Sequence, residues 1–219
     1  MPFGFSLFEK TMRTIFGMSI NKFFAVLFSA MALLFLIAEF VASGAYYGFG
    51  AIMTFSGIWN YLLLLGCLLL LLIFNLRNDD RAYAGISLLI FFAAFDGFFG
   101  IGTSVEYVSY FAKNNQSVGM FIAFLSILFW IGQLGMGVVS YIFVARYRFG
   151  RTNNFKLVRL FVCLFLLSLV LTGICQVSMN AYAGFYSGYQ PCLIDSFYYL
   201  CLIVGGASAF FTLNRLRRY

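Results

Sequence analysis

Residues 82–102 read AYAGISLLIFFAAFDGFFGIG, 21 nearly unbroken apolar side chains with one carboxylate, Asp96, well inside. A run of about 18 or more apolar residues is long enough to cross a bilayer as a helix. An ionisable group within such a run is expensive and marks a site by default. The stretch therefore predicts a membrane span and a candidate functional residue together.

The rest of the chain repeats the pattern. Further spans are predicted at residues 23–42, 58–76, 118–145, 160–177 and 193–213. Glycine-tyrosine stretches at residues 43–50 and 178–192 separate the first pair and the last pair. Residues 77–81 (RNDDR) form a turn so short that its flanking spans must be antiparallel neighbours. Residues 103–117 are polar and read as a loop. With 63% hydrophobic and 10% charged residues the chain has no room for a soluble domain. The predicted fold is an all-α membrane bundle of about six helices, residues 23–213. Residues 1–22 precede it, with Phe5, Phe8, Met12, Ile15 and Phe16 at helical spacing, which fits an interfacial amphipathic helix or an unstructured tail. Residues 214–219 are a basic tail.

The charges orient this bundle. With an inside N-terminus, six spans put every basic residue but Lys113 on the cytoplasmic side, including Arg77, Arg81, Arg146, Arg148, Arg151, Lys156, Arg159 and Arg215. That is the positive-inside pattern of short loops. The net charge of +7 is thus expected to reflect topology rather than nucleic-acid binding. A cell membrane is the expected location, with an organellar membrane as the alternative.

Glu39, Asp96, Glu106 and Asp195 fall toward the opposite side. At 1.5 Å of rise per residue, Asp96 lies roughly 22 Å from Arg81. If the helices converge, Glu39, Asp96 and Asp195 form an acidic outer vestibule with one deeper site. Gln133, on the next span, is the candidate partner of Asp96. The other reading of Asp96 is structural, a carboxyl bonded to a neighbouring helix, and Glu39 and Asp195 then simply reach interfacial water.

Gly97, Gly100 and Gly102 share their spacing with Gly132, Gly135 and Gly137, and small residues so spaced let helix backbones approach closely. Cys175 and Cys192 flank one predicted outer loop and are a candidate disulfide; Cys67, Cys163 and Cys201 read as buried apolar residues. Histidine is absent, and no CxxC, no GxSxG and no lysine within a span occurs. The usual haem and metal ligands, hydrolase nucleophiles and a retinal Schiff base are thereby excluded. No catalytic residue, metal or cofactor is expected.

Two functions fit: a transport component for a small solute or cation, entered through an acidic vestibule, or a non-catalytic scaffold subunit of a larger membrane complex. The expected partners are the lipid bilayer, other membrane subunits or a second copy of the chain, and a small solute or cation in the transport case.

Overall fold

The computed structural model describes residues 18–52, 55–187 and 192–217, with the side chains of 51–59 and 185–195 outside the description. The N-terminal segment read as amphipathic falls almost wholly outside it. The described chain is helical: α1 (Ile20–Tyr47), a short α2 (Phe49–Ile52), α3 (Phe55–Leu76), α4 (Ala82–Lys113), α5 (Ser117–Arg148), α6 (Phe155–Ser187) and α7 (Cys192–Arg215). Among the described residues, α1, α4, α5, α6 and α7 are each long and apolar enough to cross a membrane. The 22 residues of α3 rise about 33 Å, also enough for a hydrocarbon core of about 30 Å. The outward faces are apolar as well: Leu34 is 65% exposed, and Phe121 and Leu128 are 63% exposed. This is a multi-pass helical membrane architecture.

Local chemistry sets the helix ends. The Ser19 hydroxyl accepts from the Lys22 backbone N–H at 3.3 Å and starts α1, which ends at Gly48, where φ is +82°. The turns after α3 and α4 each place an asparagine in the left-handed region, Asn78 and Asn115. The Asn154 side chain accepts from the Leu157 N–H at 3.1 Å and opens α6.

Short turns make successive helices antiparallel neighbours, and α7 closes the ring against α1. It also touches α3, α4 and α6. Its middle has little bulk, which explains this placement. A Cβ on Gly205 would stand 3.2 Å from Leu68, and one on Gly206 would stand 2.9 Å from Leu169. Ser208, two residues on, bonds the Ser29 hydroxyl at 2.6 Å and the Ala25 carbonyl at 2.9 Å on α1. Every basic residue with a described side chain, Lys113 excepted, lies at one end, where Arg215 donates to the Asn78 side chain and the Asp79 carbonyl at 2.8 and 2.9 Å.

The structure corrects the expected boundaries. α4 runs to Lys113, so most of the polar stretch 103–117 is helix and not loop; α6 likewise continues to Ser187. Hydropathy marks what lipid covers, and these helices outrun the lipid: 32 residues rise about 48 Å. The surplus of α4, α5 and α6 forms a second small core at the Lys113 end, around Phe111, Ala123, Met179 and Ala183. Gly119 permits it, since a Cβ there would sit 2.7 Å from both Phe111 and Tyr182. Below that core, Ser104 and Ser126 bond at 3.0 Å and Ser126 donates to Gln176 at 2.7 Å, joining the three helices.

The polar pairs that tie α7 to its neighbours are modest in energy. Asn75 Nδ2 donates to the Thr212 hydroxyl at 2.8 Å. Interhelical bonds in membranes average about 0.6 kcal/mol. Thr212→Val is expected to lower stability by no more than about 1.7 kcal/mol, the top of that range, as read from denaturant unfolding in detergent micelles.

Candidate functional site

α4 carries Asp96 near its midpoint, and Gly97 and Gly100 decide what stands beside it. A Cβ on Gly97 would lie 3.3 Å from the Trp130 carbonyl and 3.4 Å from the Leu134 nitrogen, so α4 and α5 meet there backbone to backbone. One turn on, the space above Gly100 is filled by the Trp130 indole. Gly137 completes the seam farther down α5, where an added Cβ would lie 2.6 Å from the Ala94 side chain. A Cβ on Gly102, Gly132 or Gly135 would meet nothing within 4 Å. The seam uses three of the six spaced glycines, not all of them.

Gln133 is 1% exposed, and its Nε2 donates to the Ala93 carbonyl at 2.7 Å. It clamps the α4 backbone one turn before Asp96, so the bond to the carboxylate that the sequence suggested is not made. The partner of Asp96 is instead the Tyr198 side chain on α7. Asp96 Oδ2 is sealed from solvent and has no hydrogen-bond partner.

The second carboxylate, Glu39 on α1, is 6% exposed. Ser43, one turn later, donates to its Oε1 at 2.9 Å, and Tyr61 on α3 also bonds it. Its Oε2 is buried without a partner. Glu39 lies within electrostatic reach of Cys201, one turn beyond Tyr198 on α7. α7 thus bonds Asp96 through Tyr198 and, one turn on, lies in the field of Glu39. Trp130, 2% exposed, adds a donor to the same half of the bundle: its Nε1 is buried and unbonded, and its ring centre is 6.4 Å from that of Tyr199.

Asp195 stands on α7 one turn before Tyr198, with its side chain outside those described. Glu106 is exposed on the extension of α4. Cys175 is a free thiol whose Sγ–H points to the Ile122 carbonyl at 3.5 Å, so the expected bridge to Cys192 is not formed. The reason is helix length. Cys175 lies about 18 Å of helical rise before the end of α6, not at the mouth of a loop. Cys67 and Cys201 are buried as expected, whereas Cys163 faces outward.

Buried polar atoms are ordinarily bonded, and one that is not calls for a ligand, water or proton. Two acceptors and one donor meet that description here. A charged carboxylate at mid-span costs about 3 kcal/mol even on insertion scales, yet no described ion pair includes Glu39 or Asp96. Among the described residues no three metal-ligating side chains cluster. Each unbonded carboxylate oxygen suits a group that brings hydrogen-bond donors.

Sequence reasoning missed Tyr198, Tyr61, Ser43 and Trp130. Trp130 was the most visible signal, as one of two tryptophans placed three residues before Gln133.

Fold and site define a multi-pass helical membrane protein with two buried carboxylates in the half of the bundle away from its basic end. No family model matches the chain, and no curated protein or solved structure matches it at a significant level.

Proposed function

We propose that the protein is a non-catalytic transport component for a small solute that carries a positive charge, or for a cation. It would sit in the cell membrane with its basic end in the cytoplasm, as short arginine-rich loops favour. The observation that carries this reading is that Glu39 and Asp96, both in the half of the bundle away from its basic end, each keep a buried oxygen with no hydrogen-bond partner. Acidic groups in a bundle attract cations and bind them by charge-assisted bonds, stronger than neutral ones. Asp96, Tyr198 and Trp130 would hold the solute, and Glu39 would be the second carboxylate.

The test is flux. Reconstituted in liposomes and offered panels of labelled monovalent cations and small organic ammonium ions, the protein is expected to move at least one of them faster than protein-free vesicles. No flux with any member, together with stoichiometric partner chains on mild extraction, would favour the other reading.

That other reading is a scaffold subunit, and one observation favours it. Gly102, Gly132 and Gly135 are exposed with nothing near them, and Gly132 and Gly135 lie one turn apart on α5. Outward small residues at that spacing can receive a partner helix. Gly132→Leu with Gly135→Leu would then lose the partner chains on extraction while leaving the bundle folded.

A further inference from the structure

Glu39 stands beside an opening toward the membrane. Between α1 and α3 lies a groove of about 210 Å³, lined by Leu36, Ile37, Phe40, Tyr61, Leu62 and Leu65. Ile37 and Leu62 are exposed at its mouth, and Leu36 is buried at its floor. The lining has one polar group, the Tyr61 hydroxyl, and Tyr61 is the residue that bonds Glu39. The Tyr61 ring packs edge-on to Phe40 at 5.3 Å, and of the lining residues these two adjoin Glu39, Phe40 in sequence and Tyr61 by its hydrogen bond. A hydrocarbon-lined groove thus meets a buried carboxylate that has one oxygen unbonded.

We infer that this groove takes a single-chain amphiphile with an ammonium head from the bilayer. The alkyl chain lies along Leu36, Ile37, Leu62 and Leu65, and the head bonds Glu39 past Tyr61. Charge complementarity selects the head. Glu39 offers an acceptor that carries negative charge when ionised, no described ion pair includes it, and an ammonium brings both the charge and the donors. A carboxylate head would meet like charge, and an alcohol would bring one donor and no charge. The inference deepens the transport reading through its Glu39 arm alone and does not depend on Asp96.

The probe is a long-chain primary alkylamine with a diazirine on its chain, added to the full-length protein in phosphatidylcholine nanodiscs, with peptides mapped by mass spectrometry after illumination. Labelling is expected on α1 and α3 around Ile37 and Leu62, and to be competed by dodecylamine but not by dodecanol or dodecanoate. Glu39→Gln is expected to cut it about tenfold or more, equivalent to about 1.4 kcal/mol. Leu62→Trp, which fills the mouth and keeps the carboxylate, is expected to do the same, and decides the matter if Glu39→Gln does not fold. Asp96→Asn is expected to label normally. Labelling that is equal for amine, alcohol and acid probes, or that survives Leu62→Trp, overturns the inference. Loss of cation flux in Asp96→Asn with amine labelling intact separates the two sites. Flux without amine labelling would sink the groove and leave the transport reading standing.

Discussion

Asp96→Asn is expected to abolish solute movement while leaving the bundle folded. The change replaces one oxygen by an amide nitrogen of nearly equal size. The amide oxygen still serves Tyr198, so the α4–α7 contact survives. What disappears is the acceptor at the buried Oδ2 position, and with it the capacity for negative charge. A charge-assisted bond to a cationic group contributes about 1.5–3 kcal/mol, so its loss weakens binding by roughly 10- to 100-fold. An amide N–H facing a cation adds repulsion to that loss. The expected measurement is flux at background with thermal stability unchanged. Flux at the wild-type rate would return Asp96 to a structural role.

The second large effect separates two glycines on one helix. Gly100→Leu is expected to destabilise the protein severely, because even a Cβ at that position would overlap the Trp130 indole. Overpacking of this kind typically costs about 1–3 kcal/mol and occasionally more. Displacing Trp130 would also move its buried, unbonded Nε1. Gly102→Leu, two residues on, meets open space and is expected to be neutral or mildly stabilising, since leucine is the better helix former by up to about 1 kcal/mol. Parallel unfolding of the two variants in detergent checks this. Equal damage from both would contradict the seam described between α4 and α5.

Those glycines also show what the sequence could convey. At about 100° per residue, Gly102 points about 140° away from Gly97, and Gly137 about 140° away from Gly132. A GxxGxG run cannot present all its glycines to one neighbour. The spacing signals close packing without saying which members pack; only the placement of α5 chooses Gly97 and Gly100 on one helix and Gly137 on the other.

The helices themselves were legible because hydropathy is strong and the turn at residues 77–81 is too short for any but an antiparallel pair. Their ends were not, because Thr103–Lys113 and Ser178–Ser187 leave the apolar stretch without leaving the helix. That error produced the unmade Cys175–Cys192 bridge. Asp96 and Glu39 stood out as carboxylates in apolar runs. Their true neighbours did not, since Tyr198 is 102 positions from Asp96 and belongs to α7, whose apolar stretch is the weakest of the five long ones. Gln133 was drawn toward Asp96 by a shared glycine neighbourhood, yet its bond goes to a backbone carbonyl that no side-chain pattern reveals.

Carboxylates that hold a cationic guest should keep it through gentle extraction. Wild-type protein and Asp96→Asn, extracted side by side from their own membrane in mild detergent, are weighed intact by native mass spectrometry. A small cationic molecule or ion is expected to stay with the wild type and to be lost from the variant. A wild-type chain that carries only stoichiometric partner proteins, or no small adduct that the variant lacks, would contradict this.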